Sequence, residues 1–164
     1  MLKIELATID DFDFFYEIKS EENNIFWTGH KEKPNKDNLL IFFEKIIKNC
    51  KKKEERKIYI IKEKNSGGVG YLYIIPDKDN FGLASAILSK YQGKGFGKKA
   101  IQLGLEEGKK LGYKKMVGSI REDNVASMKA YTACGVKLTQ NYKMVYIPKL
   151  NKEVKMYIVE KDIT

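Results

Sequence analysis

Apolar and polar residues alternate through "LKIELA" at the N-terminus, the period of a strand with one face in a core. Thr8 followed by Asp11 has the spacing of an N-terminal capping pair, and Phe12, Phe15 and Ile18 then recur on one helical face. Residues 22–35, "ENNIFWTGHKEKPN", hold no sustained period and include Gly29 and Pro34, which predicts a loop or a broken helix. Asn35 is placed to cap a second helix carrying Leu39, Phe42, Phe43, Ile46 and Ile47, and that helix runs out among lysines, as its dipole favours.

Three strand-like runs follow, "KIYIIKE" (57–63), "VGYLYII" (69–75) and "FGLASAIL" (81–88), separated by the turn sequences "NSGG" and "PDKDN". They predict an antiparallel meander. Beyond the glycine-rich "SKYQGKGFGKKA", residues Ala100, Ile101, Gly104, Leu105, Gly108 and Leu111 form a helical stripe, small enough in places for a sheet to approach, and Gly112 is placed to end it. "YKKMVGSI" (113–120) is a further strand, and a helical crossover of this kind makes it a parallel neighbour of "FGLASAIL". A helix from about Val125 to Cys134 is bracketed by Asn124 and Gly135, and the tail reads as a final hairpin. With no repeat, linker or low-complexity tract, the expectation is one domain over residues 1–164.

Composition narrows the class. Hydrophobic residues make up 43% and aromatics 12% of the 164 residues, which excludes a disordered chain. The N-terminus mixes acids with its apolar residues, and no apolar run reaches roughly 18 residues, so a cytoplasmic protein without a membrane partner is expected. Cys50 and Cys134 have no companions at ligand spacing, so neither a metal site nor a disulfide framework is expected. The net charge of +9 favours anionic partners without choosing among them. The run "CKKKEERK" is mixed in sign and suits a solvated helix end better than a nucleic-acid arm.

The glycine bend lies between a strand and a helix. The first amides of a helix lack internal partners and carry partial positive charge, so Gly93, Gly95 and Gly97 there allow a phosphate to be wrapped by backbone donors, with Lys94, Lys98 and Lys99 adding charge. A phosphate-binding P-loop would need a Ser or Thr after its lysine, where this chain has Ala100. "KGFG" also matches half of an RNA-recognition signature, but a helical stripe follows instead of strand aromatics, and no nucleic-acid partner is expected. A second constellation, Asn124, Ser127 and Tyr131, recurs at intervals that share one helix face. Taken alone, these fit a helix cap and a core aromatic better than a site.

Together the two stretches resemble the GNAT superfamily of N-acetyltransferases: "QGKGFG" resembles its Gln/Arg-x-x-Gly-x-Gly/Ala motif, and "NVASMKAYTACGVK" its downstream stretch. Val136 departs from the aromatic more usual there. The resemblance implies an α/β (α+β) fold, a mixed, mostly antiparallel sheet of six to seven strands flanked by about four helices, in the order strand, two helices, three strands, helix, strand, helix, two strands. It implies acetyl-CoA as donor, CoA as product and no metal. Gln92, Gly93, Lys94, Gly95, Phe96, Gly97 and Lys98 would hold the pyrophosphate, Ile87 and Leu88 the thioester end, and Asn124 and Ser127 the arm. Tyr131 would serve as general acid at the leaving thiolate. Ser85 and His30 are the candidates for handling the amine's proton, with Glu21 and Glu22 behind them, and Trp27 is either an acceptor-pocket wall or core. The acceptor is expected to be a primary amine of a small molecule or a protein, a polycation being disfavoured by repulsion. The rival readings are a non-catalytic acyl-CoA-binding module of the same fold and a basic nucleic-acid binder. A monomer or a homodimer is expected, the latter through an exposed edge of the terminal hairpin.

Overall fold

The computed structural model describes residues 1–164, and its strands form one seven-stranded sheet. In chain order the elements are β1 (Leu2–Leu6), α1 (Phe12–Lys19), α2 (Glu22–Thr28), α3 (Lys36–Asn49), β2 (Lys57–Glu63), β3 (Gly67–Asp77) and β4 (Asn80–Ile87). The second half holds α4 (Phe96–Lys110), β5 (Lys115–Arg121), α5 (Val125–Ala133), β6 (Lys137–Ile147) and β7 (Lys152–Asp162). Spatial order is β1-β2-β3-β4-β5-β7-β6, antiparallel throughout except for β4 beside β5. This is the mixed, mostly antiparallel sheet expected, with five helices where about four were anticipated.

The unbroken apolar runs of β2 and β3 follow from coverage of both sheet faces. On one face Ile58, Ile60, Tyr71 and Tyr73 pack with Phe15 and Ile18 of α1 and Phe43 and Ile46 of α3. On the other, Tyr59, Ile61, Leu72 and Ile74 pack with Ala100, Ile101 and Leu105 of α4 and Tyr131 of α5. Strand side chains alternate between faces, so a strand sandwiched between helix layers must be apolar at every position. The outer hairpin is covered less completely. Its edge strand β6 leaves Leu138, Tyr142, Met144 and Tyr146 exposed.

Helix ends follow the local signals. Thr8 and Asp11 form the reciprocal capping box before α1, and Asn35 Oδ1 accepts from the Asn38 amide at 3.0 Å. Within residues 22–35, where the sequence predicts a loop or a broken helix, Glu22–Thr28 form α2, a seven-residue helix closed by Gly29 in a left-handed conformation (φ 78°). Its periodicity is hidden because its contacts are mixed: Ile25 enters the core, Asn24 is buried as a polar residue, and Phe26 and Trp27 stack on Arg121 of distant β5. No helix is long and apolar enough to cross a membrane.

The stripe of small residues on α4 sets how closely that helix lies on the sheet. A Cβ at Gly108 would stand 2.1 Å from the ring tip of Phe81, the fully buried residue at the base of β4. Gly108→Ala must therefore lift α4 or displace Phe81, an overpacking cost of about 1–3 kcal/mol. Thermal denaturation should show the melting temperature falling by roughly 3–10 °C in a chain of this size.

Candidate active site

β4 and β5 pair through only two positions, Asn80 with Lys115 and Phe81 with Met116. Beyond these the strands part, and the opening is a cleft of about 500 Å³. The register defines which backbone groups face it. Leu88 N donates to Val69 O at 2.8 Å, so alternation along an antiparallel pair turns Ala86, Ala84 and Gly82 toward β3. Leu83, Ser85 and Ile87 then turn their amides and carbonyls into the gap. Two contacts agree: Tyr131 Oη donates to Leu83 O at 3.4 Å, and Gln92 Nε2 donates to Ile87 O at 3.2 Å.

At the mouth of the gap the glycine bend turns the chain into α4. Gly93 (φ 79°) and Gly95 (φ 80°) occupy the left-handed region that residues with a Cβ adopt at a cost, and Gly95 is the N-cap of the helix. The first intrahelical bond is from Lys99 N to Gly95 O at 3.2 Å, leaving the amides of Phe96, Gly97 and Lys98 without helix partners. A Cβ at position 93, 95 or 97 would meet nothing within 4 Å. At Gly97, an ordinary helical position, neither backbone nor packing thus requires glycine, and what its absent side chain preserves is open space above three free amide donors. This arrangement suits a phosphate or pyrophosphate.

α5 supplies the facing wall. Asn124 caps it, Oδ1 accepting from Ser127 N at 3.1 Å, and Asn124, Ser127 and Tyr131 all line the cleft. Tyr131 is 8% exposed, and burial, reinforced by nearby Cys134, pushes its phenol up to about 12. It therefore remains a protonated donor throughout the physiological range.

The predicted residues divide according to place. Ser85, Ile87, Gln92, Gly93, Gly95, Phe96 and Gly97 line the same cleft as the α5 group. Lys94 and Lys98 flank the bend as exposed side chains, Lys94 Nζ lying 5.7 Å from the Tyr91 ring. Leu88 does not reach the cleft: its amide is spent on Val69 and its side chain is buried against the α1 and α3 layer. His30 is also apart, exposed just beyond α2 and absent from the cleft wall, so the geometry does not bring it to a reacting amine. Of the two acids, Glu22 pairs with Lys149 at 2.9 Å, while Glu21 is the single carboxylate on the wall. Glu21 Oε1 already accepts from the amide and hydroxyl of Ser89, at 3.0 and 3.2 Å. No group of three or more His, Cys, Asp or Glu side chains is arranged to hold a metal ion.

Trp27 aside, the remaining wall is not legible in the sequence. Tyr71 and Tyr73 alternate along β3, and Asn24 Nδ2 donates to Tyr71 Oη at 3.0 Å. Asn24 Oδ1 is sealed without a partner, and rotating the amide would only exchange which of its atoms is left unpaired. Trp27, 37% exposed, lines the cleft instead of the core. What holds it there is Arg121, 4% exposed at the end of β5. Its guanidinium stacks at 4.7 Å on Phe26 and 4.8 Å on Trp27, donates to Phe26 O at 2.6 Å, and forms a fork with both oxygens of Asp123. The sole hint in the sequence was an arginine ending an apolar strand two residues before an aspartate.

Residues 2–137 match the acetyltransferase (GNAT) domain family, and the chain belongs to it. The spermidine N-acetyltransferase from Vibrio cholerae, solved with CoA and spermine, shares the fold at a TM-score of 0.86 and 15% identity, over 98% of this chain and 95% of that one. An N-acetyltransferase from Staphylococcus aureus Mu50 superposes at 0.82 with 18% identity over 100% and 99%. A GNAT superfamily phosphinothricin acetyltransferase from Sinorhizobium meliloti, solved with acetyl-CoA, does so at 0.80 with 17% identity over 98% and 88%. No curated protein matches the sequence significantly.

Arg121 couples the parted strand to α2, and lysine reproduces neither its fork nor its stacking. Arg121→Lys should lower stability by about 1–3 kcal/mol in urea denaturation. Hydrogen exchange should show protection lost first across Glu22–Thr28.

Proposed function

We propose that this chain transfers the acetyl group of acetyl-CoA to a small-molecule primary amine by direct attack on the thioester. The observation that carries this reading is the convergence, on one cleft, of free amides at the α4 N-terminus, gap-facing amides on β4 and a protonated tyrosine on α5. When bound, acetyl-CoA supplies an acyl group activated by a thiol leaving group.

In this reading the amides of Phe96, Gly97 and Lys98 hold the pyrophosphate, with Lys94 and Lys98 adding positive charge at the rim. The backbone of Ser85 and Ile87 pairs with the pantetheine arm as a strand of the sheet would. Asn124, its Oδ1 engaged by Ser127, has its amide nitrogen left to donate to the same arm. Beyond them an amide of β4 faces the carbonyl oxygen as negative charge develops there. As the carbon–nitrogen bond forms and the carbon–sulfur bond breaks, Tyr131 would donate its hydroxyl hydrogen to the departing sulfur; burial keeps that phenol protonated until then. Ser85 is placed to orient a water that takes the amine's proton, no histidine being at hand on the wall.

Isothermal titration and thiol release across an amine panel test the two halves separately. Gly95→Asp forces a side chain into a left-handed N-cap and puts negative charge at the phosphate seat, so acetyl-CoA affinity should fall at least about tenfold. Tyr131→Phe should bind acetyl-CoA within a few-fold of wild type while turnover drops by about 100-fold. Undiminished turnover would remove the acid role, and acetyl-CoA binding without CoA release from any amine would favour a non-catalytic acyl-CoA-binding module.

A further inference from the structure

We propose that the acceptor end of the cleft takes a primary amine borne on an uncharged apolar body, with Trp27, Tyr71 and Tyr73 as the residues that select it. This inference rests on the transferase reading and names the substrate class of the same site.

The sheet register places this end. Tyr71 and Tyr73 of β3 pair with Ala86 and Ala84 of β4, and all four pack on the side covered by α1 and α3, opposite the face on which α4 lies with its phosphate seat. The same four residues line the cleft. The tyrosine rings lie 5.0 Å apart, and next to them β4 presents only methyl groups, which leaves space beside an aromatic wall. Trp27 reaches the cleft from α2 and is held by the Arg121 guanidinium at 4.8 Å, which is not itself on the wall. Both oxygens of Asp123 neutralise that guanidinium, so it supports the indole without lending the cleft a charge.

Charge is what this wall lacks. In a chain of net charge +9, 25 residues line the cleft and Glu21 alone among them is charged. Glu21 Oε1 accepts from the amide and hydroxyl of Ser89, beyond the end of β4, so its carboxylate stands at the rim and not over Ala84 and Ala86. Lys19 and Arg56 approach the tyrosine rings without lining the cleft. A second ammonium or a carboxylate on the acceptor would leave water here with no opposite charge on the wall to meet it, a cost that an apolar substituent does not incur. The reacting amine itself is the exception, because desolvation favours its neutral form, the one that attacks the thioester. Apolar area laid against three aromatic side chains supplies the binding instead.

The test compares acceptors in matched pairs by CoA release: phenethylamine with phenylalanine, which adds a carboxylate, and pentylamine with cadaverine, which adds an ammonium. In each pair the amine on the uncharged body should have a kcat/KM higher by about tenfold. Trp27→Ala should raise the KM for phenethylamine about tenfold while the KM for acetyl-CoA stays within about twofold, and Trp27→Phe should restore most of the loss. Parity within either pair, or preference for its charged member, would overturn the proposal. So would a Trp27→Ala protein whose KM for the amine is unchanged, or whose two KM values rise alike. If no amine releases CoA, the transferase reading fails by itself, and the wall is judged by fluorescence. Trp27 is the only tryptophan in the chain, so its emission in the CoA-saturated protein should shift saturably with phenethylamine and not with phenylalanine or cadaverine. Equal responses to all three, or none, would dispose of the selection.

Discussion

After Phe81 and Met116 the two central strands stop pairing, and most of what this protein offers a ligand follows from that failure. A paired sheet interior has no free backbone donors. Here the amides of Ser85 and Ile87 are left pointing into a gap inside a folded core, with the hydroxyl of Tyr131 reaching across toward Leu83 O. The parting is held open from both sides. Below it, Phe81 is clamped between Tyr113, Met116 and the bare backbone of Gly108, so the base of the gap cannot slide. Above it, β5 is committed along seven residues to β7, and Arg121 at its tip is tied to α2 through Phe26 O. The opening is thus framed by the pairing on either side.

Charge is distributed with a comparable logic. The excess of +9 is spread over the surface, and an exposed lysine says little about function. The informative cations are those withdrawn from water. Lys57 and Arg121 are each satisfied by acceptors within the fold and hold it together.

The glycine bend shows how a local signal acquires meaning from its surroundings. Its left-handed residues would suit any tight connection, and Gly97 would be an ordinary weak point in a helix. Their position beside gap-facing amides, with room above all three, makes the bend the mouth of the cleft. Asn124 has the same double character, being a helix cap by its Oδ1 and a wall of the cleft by its location.

Reading the chain alone was enough for the meander, the crossover, the capped helices and the two motif stretches, because each is written in residues close together in sequence, through period, caps and turns. Membership of the acetyltransferase (GNAT) family was legible for the same reason, from two short runs at the right separation. What local pattern could not express was decided by partners far apart. α2 exists as a docked helix because Arg121, 95 positions from Phe26, stacks on it. Leu88 is withheld from the cleft because its amide is taken by Val69, and His30, exposed beyond the left-handed Gly29 that closes α2, is not on the cleft wall. Tyr71 and Tyr73 of β3, Asn24 and Trp27 of α2 and Tyr131 of α5 meet only in the folded chain. Periodicity reports which face of an element is buried; which groups then stand together without a partner is set by packing, and only the folded chain contains that information.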